Sequence, residues 1–317
     1  MAGYPSCSTL ILKEILARKE AIIKTIRAFI KRHSVLSYYA LVFAISWGGI
    51  LLVVGLGPGG IPATKEQVGA LMPFMLLALF AGPSVAGLVM TGLVYGREGF
   101  RHLLTRMTRW RAGARWYAVA LLTAPLLVTG TLIAISLTSP EFLPSIFTSD
   151  DKVSLLLFGI GWGLVGGGLL EELGWTGFAV PTLLRQRHGV LATGLFVGVL
   201  WGLWHFLITF WASGTSSGAL SLAGFLPAVL FYVGSLPAYR GLMVWVYDRT
   251  GESMFVAMLM HASFSASMLI QQPLGLALVP GLAWNLVLAA ALWVVVGAVA
   301  LAQGGHLSRQ PLRRRVA

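Results

Sequence analysis

The sequence predicts an all-α polytopic membrane helical bundle of about eight transmembrane helices with both termini cytoplasmic, and three observations carry that expectation. Of 317 residues, 57% are hydrophobic and only 11% charged, against roughly 25% charged in soluble domains. The apolar residues gather in runs long enough to cross a hydrocarbon core, which takes about 20 helical residues. The basic residues fall between those runs, and mostly on every second connection. In hydrocarbon each backbone group must be satisfied within the chain, so the runs are expected to be helices.

Residues 1–34 form a basic N-terminal segment. Its stretch TLILKEILARKEAIIKTIRAFIKRH sets Ile11, Ile15, Ile22, Ile26 and Phe29 at helical spacing among basic residues, the pattern of an interfacial amphipathic helix. A tail that only sets topology is the alternative. Charges interrupt it throughout, so no cleavable leader is expected. The transmembrane domain follows over 35–302, with spans near 35–57, 70–95, 116–138, 153–178, 190–212, 222–246, 254–272 and 279–302. Pro83, Pro125, Pro227 and Pro237 fall inside spans; neighbouring helices can re-satisfy the backbone there, and kinks are expected. ASGTSSG at 212–218 reads as a short external loop, and 303–317 is a basic tail. No internal repeat of fixed period is present.

The distribution of lysine and arginine tests this division. Seven precede the first span, six lie in 97–115, and Arg185, Arg187, Arg240, Arg249 and four after residue 308 follow. Only Lys65 and Lys152 occupy the alternate connections. Lys and Arg are retained in the cytoplasm, so an even number of spans and a multi-pass protein of the cell membrane are expected. A net charge of +12 would also suit nucleic acid, but it follows topology instead of gathering on a soluble domain, which excludes that partner. Anionic membrane lipids are the expected partners of the basic segments. The single cysteine, Cys7, excludes an intrachain disulfide framework and a cysteine-based zinc site.

Four residues break the apolar pattern. Glu171 and Glu172 are adjacent in the fourth run, and His205 and His261 are the only histidines inside apolar runs. Ionisable groups at membrane depth are costly and mark functional sites by default. Neighbours on a helix point about 100° apart, so one carboxylate is expected to act and the other to support it. The bland alternatives are a structural ion pair, for instance with Arg240, and interhelical hydrogen bonds from the histidines. Trp201, His205 and Thr209 share one helix face, and His261 and Ser265 share another. The glutamates and His261 are expected roughly 10 Å from the cytoplasmic ends of their spans and His205 near 20 Å, if its helix starts at 190. That mismatch shrinks if residues 182–194 lie along the interface. The set suggests a polar cavity open to the cytoplasm.

These segments resemble a known family. GGLLEELGWTGFAVPTLL is similar to the first motif, E-E-x-x-x-R, of the intramembrane CAAX-protease and bacteriocin-processing family (CPBP, or Abi). WGLWH resembles its second motif, F-x-x-x-H, with Trp201 in the aromatic position. MVWVYDRTGESMFVAMLMHASFS resembles the third, H-x-x-x-N, ending at His261 and Ser265. Including the upstream AGPSVAGLVMTGLVYGREGFRHLL, the similarity covers about 70–272. Thr176 stands at the family's arginine position and Ser265 at its asparagine position; Arg240 or Arg185 is the expected substitute for the missing cation.

The resemblance implies an intramembrane endopeptidase in which the first glutamate and first histidine activate water, while the last histidine and its motif partner stabilise the oxyanion. On this chain that gives Glu171 as general base held by His205, Glu172 in support, and His261 and Ser265 as donors. The substrate would be a peptide or membrane protein, lipidated or not. No cofactor is favoured; a zinc ion on Glu171, His205 and His261 is the alternative. Two other functions are carried alongside: a non-catalytic bacteriocin-immunity or scaffold protein of the same fold, to which Thr176 and Ser265 point, and a transporter, against which stands the lack of an inverted repeat.

Overall fold

A computed structural model of the chain describes residues 7–55, 64–186, 188–215, 217 and 219–303, with side chains described from residue 16 onward. Ile11, Ile15 and the basic tail therefore lie outside the described side chains. Helix α1 (Cys7–Arg32) precedes eight helices long and apolar enough to cross a membrane. These are α2 (Ser34–Gly55), α3 (Lys65–Met107), α4 (Ala114–Ser136), α5 (Lys152–Arg185), α6 (Val190–Ala212), α7 (Leu222–Arg249), α8 (Met254–Gln271) and α9 (Leu278–Ala302). Among the described residues there is no strand, only a single antiparallel bridge between Gly214 and Leu220 beside the loop expected at 212–218.

The ends of the helices follow local chemistry. Thr64 caps α3 with a reciprocal capping box to Gln67, and Asp151 caps α5 by accepting the Ser154 amide at 2.9 Å. That bond holds the Asp151 carboxyl below the usual carboxylate range. Helix α3 runs past the expected end of its span to Met107 and turns at Gly96, whose φ of 62° suits glycine alone. Helix α5 also exceeds its expected range, because VPTLLR offers nothing to stop it before Arg185. In α1, Ile22, Ile26 and Phe29 are exposed, so the predicted apolar face is present and uncovered.

Two rows of glycine let helices approach closely. Gly159, Gly163 and Gly167 on α5 lie against α8, where an added methyl would stand 2.5 Å from Ile270 Cγ1, 2.3 Å from the Ala262 carbonyl and 2.5 Å from Ser265 Oγ. Gly194, Gly198 and Gly202 do the same on α6, 2.5 Å from Gly241 Cα, Pro237 Cα and the Tyr232 carbonyl on α7. Small residues four apart are the usual device for bringing helix backbones together in lipid. Helix α4 covers the outer side of α8, α9 leans on α4 and the first half of α7, and α2 packs along α3. Polar ties cross the apolar interior: Trp204 Nε1 donates to Ser46 Oγ at 2.8 Å, and Ser46 donates to the Leu79 carbonyl at 2.6 Å.

Gly198→Ala is expected to lower thermal stability in detergent by about 1–3 kcal/mol, the cost of overpacking a tight contact. Gly130→Ala, with nothing near the added methyl, should leave the unfolding temperature unchanged or raise it slightly. Equal unfolding temperatures for wild type and Gly198→Ala would show that the α6–α7 approach is looser than described.

Candidate active site

Helices α5, α6, α7 and α8 each contribute to one buried polar cluster. Within α5, residues Gly163–Glu171 and Trp175–Ala179 are π-helical and flank a short α turn, Glu172–Gly174. Such widened turns recur at functional sites because they re-aim side chains without ending the helix. Here they send the two carboxylates to different partners.

Glu172 is fully buried and ion-paired. Its Oε1 accepts from Arg240 Nη1 at 2.8 Å and from His261 Nδ1 at 2.6 Å, and Thr176 Oγ1 donates to Oε2. Arg240 is buried as well, with its guanidinium 4.3 Å from the Trp201 ring centroid. A buried carboxylate persists only when paired and hydrogen-bonded, and Glu172 has a cation, an imidazole and a hydroxyl.

Glu171 approaches the same imidazole at its other nitrogen. Its Oε2 accepts from Trp201 Nε1 at 2.6 Å and Trp175 Nε1 at 3.1 Å. Its Oε1 lies 3.9 Å from His261 Nε2, a buried nitrogen with no hydrogen-bond partner. A methyl at Gly167 would sit 2.9 Å from that Nε2 and 2.5 Å from Ser265 Oγ. Gly167 is therefore the floor on which Nε2 and the Ser265 hydroxyl meet, and only the missing Cβ leaves space there.

The structure thus brings Glu171, Glu172, His261 and Ser265 together with Arg240, but it treats His205 differently. His205 Nδ1 donates to the Trp201 carbonyl at 2.8 Å, and its ring stacks on Tyr232 at 4.9 Å. Among the described residues no hydrogen bond or ion pair joins His205 to Glu171. Trp201 provides the link instead, bonded to Glu171 through its indole and to His205 through its carbonyl. Arg240 is the cation beside the glutamates; Arg185 lies over the Tyr95 ring at 4.9 Å. The ion pair with Arg240 that the sequence offers as the bland reading is present, and it belongs to Glu172.

Two expectations are corrected. The stretch expected to precede the fifth span belongs largely to the helices themselves, with 182–185 the end of α5 and 190–194 the start of α6. The longer α5 puts Glu172 about 20 Å from its end, close to the roughly 22 Å from Val190 to His205, while His261 is about 10 Å from Met254 at 1.5 Å per residue. Nor does an open polar cavity reach Glu172, Arg240 or His261, which are fully buried, with the Trp201 ring against both Arg240 and His261. Among the described residues no three His, Cys, Asp or Glu side chains are grouped to hold a metal ion.

Trp175 and Trp201 are the site residues whose roles sequence reasoning missed, Trp201 having been placed on the face of His205 and in the aromatic position of the second motif, with no bond to Glu171 expected. Their spacing was available: Trp175 is four residues after Glu171, one helical turn.

Residues 152–267 match the family model described as type II CAAX prenyl endopeptidase, Rce1-like. Every residue of the cluster lies in that segment. A stretch of 92 residues is 26% identical to CAAX prenyl protease 2 of Methanococcus maripaludis, covering 29% of this chain and 32% of that protein. The match thus spans about a third of that relative's length, and over it this chain is similar to the relatives its motifs resemble.

Removing the cation from the buried pair should be costly. Arg240→Ala is expected to destabilise the protein by about 3–5 kcal/mol, because it strands a buried carboxylate. The double variant Arg240→Met, Glu172→Gln should recover much of that loss. Thermal unfolding in detergent checks both, and an Arg240→Ala protein as stable as wild type would contradict the pairing.

Proposed function

We propose that this chain, alike to the Rce1-like endopeptidases over 152–267, is an intramembrane endopeptidase that hydrolyses a peptide bond with water activated by Glu171. The observation that carries this reading is the placement of Glu171 Oε1 and His261 Nε2, 3.9 Å apart and facing Ser265 across Gly167. A water held there lies within reach of a base and next to two donors. The charge bias supports a cell-membrane protein with both termini cytoplasmic and the Arg185 end of α5 on the cytoplasmic side.

The cluster balances its charge when His261 is an imidazolium: two carboxylates, Glu171 and Glu172, oppose Arg240 and His261. Arg240 is then committed to Glu172, and Glu172 fixes the ring of His261 through Nδ1. Nε2–H is left to donate. Glu171, supported by two indole N–H groups, takes a proton from water as the hydroxide oxygen attacks the carbonyl carbon. The oxyanion that forms accepts from His261 Nε2–H and Ser265 Oγ–H. Collapse breaks the C–N bond, and the proton on Glu171 passes to the leaving amine. His205 acts through Trp201 by fixing the stretch of α6 that presents the indole. No step requires a metal.

The relative's name supports the choice of substrate class. A CAAX prenyl protease by name acts on a prenylated C-terminus, and a lipid-bearing peptide is the substrate that a site buried among spanning helices would receive from the bilayer side. The substitution of Ser265 for asparagine keeps one donor in that position with shorter reach.

The test uses the full-length protein in liposomes with a farnesylated peptide ending in a CAAX sequence. Wild type should release the tripeptide. Glu171→Gln should lower kcat by about 10²–10⁴-fold, and Ser265→Ala by up to about 10²–10³-fold, as for loss of one oxyanion donor. Full turnover by folded Glu171→Gln would overturn the mechanism. A wild-type protein that binds but never cleaves, with Glu171→Gln retaining the cellular phenotype, would favour the non-catalytic immunity or scaffold reading.

A further inference from the structure

A second polar site lies well away from the glutamates, where three helix ends meet. Arg115 and Trp116 open α4, Trp245 and Arg249 close α7, and Gln303 follows α9; with Val119 they line a cavity of about 510 Å³. Charge topology puts all three ends on the side that carries 21 of the 23 basic residues. The volume falls in the range of small-ligand sites, roughly 300–1,000 Å³.

Two of its six lining residues are cationic and two are aromatic. Arg115 rides 5.2 Å above the Trp116 ring, and the Trp116 and Trp245 rings meet edge-on at 5.1 Å. Among the described residues neither Arg115 nor Arg249 pairs with a carboxylate. Arg249 donates through Nη2 to Gln303 Oε1, while its Nε and Trp245 Nε1 are buried donors without partners. Buried donors are normally satisfied, so each such group calls for an explanation. A tetrahedral anion seated between the two guanidiniums would supply acceptors for both.

We propose that this cavity binds the phosphate of an anionic phospholipid in the leaflet on the basic side. The apolar part of the lining distinguishes a lipid from a free phosphate. Val119, Leu122 and Leu126 continue along one face of α4 from the cavity toward the middle of the span, and Leu122 and Leu126 are 50% and 66% exposed. An acyl chain can follow that strip while the headgroup phosphate meets the arginines. Basic pockets between spanning helices suit anionic headgroups by charge, and the tryptophans suit the interface.

The experiment compares unfolding temperatures of the full-length protein in detergent with added phosphatidylglycerol, phosphatidylcholine or inorganic phosphate. Wild type should be stabilised by several degrees with phosphatidylglycerol and not with phosphatidylcholine. Arg115→Gln, Arg249→Gln should lose that shift while keeping the baseline unfolding temperature. If the double variant does not accumulate, Arg115→Gln alone, at an exposed position, should weaken phosphatidylglycerol stabilisation at least severalfold in concentration. An unaltered shift in the variants, or none in wild type, would overturn the proposal. Equal stabilisation by inorganic phosphate would overturn the lipid as its source.

Discussion

The carboxylate of Glu172 cannot be buried alone, and much of the interior follows from that constraint. A bare charge in a low-dielectric interior costs many kcal/mol unless it is paired and hydrogen-bonded. Glu172 on α5 therefore requires Arg240 from α7 and His261 from α8 at hydrogen-bond distance. These bonds hold α5, α7 and α8 in one register. Arg240 in turn lies on the Trp201 ring of α6, which brings a fourth helix into the same arrangement. The ionic cluster adds directional bonds to a bundle packed mostly through apolar contacts.

Glycine makes those distances attainable. The rows at 159, 163, 167 and at 194, 198, 202 remove the side chains that would keep α5 from α8 and α6 from α7. The π-helical turns around Glu171 and Glu172 then separate two neighbouring carboxylates into a supporting group and one with an oxygen left over. Farther along, Arg106 donates to the Gly177 carbonyl at 2.8 Å and to Tyr247 at 2.9 Å, tying the far end of α3 to α5 and α7. The result is a pre-organised polar cluster inside an apolar shell, where fixed dipoles act on developing charge more strongly than in water.

Much of this was legible in the sequence for physical reasons. Long apolar runs and alternating basic connections give eight spans because the bilayer imposes both, and all eight are present with ends shifted by several residues. Glu171, Glu172, His261 and Ser265 stood out by cost and spacing, and they converge. His205 also stood out, yet it reaches Glu171 only through Trp201. That relay depends on one indole among 11 tryptophans, and nothing in one-dimensional spacing says which ring turns inward. Arg240 was visible as a cation at depth, but which carboxylate it meets depends on the π turns, which leave no periodic trace. The end of α5 was misplaced because its last turns, apolar but for Arg185, resemble the link that follows. The glycine rows were readable as small residues four apart.

The central claim is that the oxygen of Glu171 activates water directly, with His261 and Ser265 serving as donors. Ser265 Oγ also lies beside a histidine whose other nitrogen bonds a glutamate, so attack by the hydroxyl is the chemical alternative. Single-turnover cleavage of the lipidated peptide in ¹⁸O-enriched water, with hydroxylamine as a trap, separates the two. The account predicts one ¹⁸O atom in the new carboxylate and no peptidyl hydroxamate at any time. A hydroxamate product, or an acyl group recovered on Ser265, would contradict it.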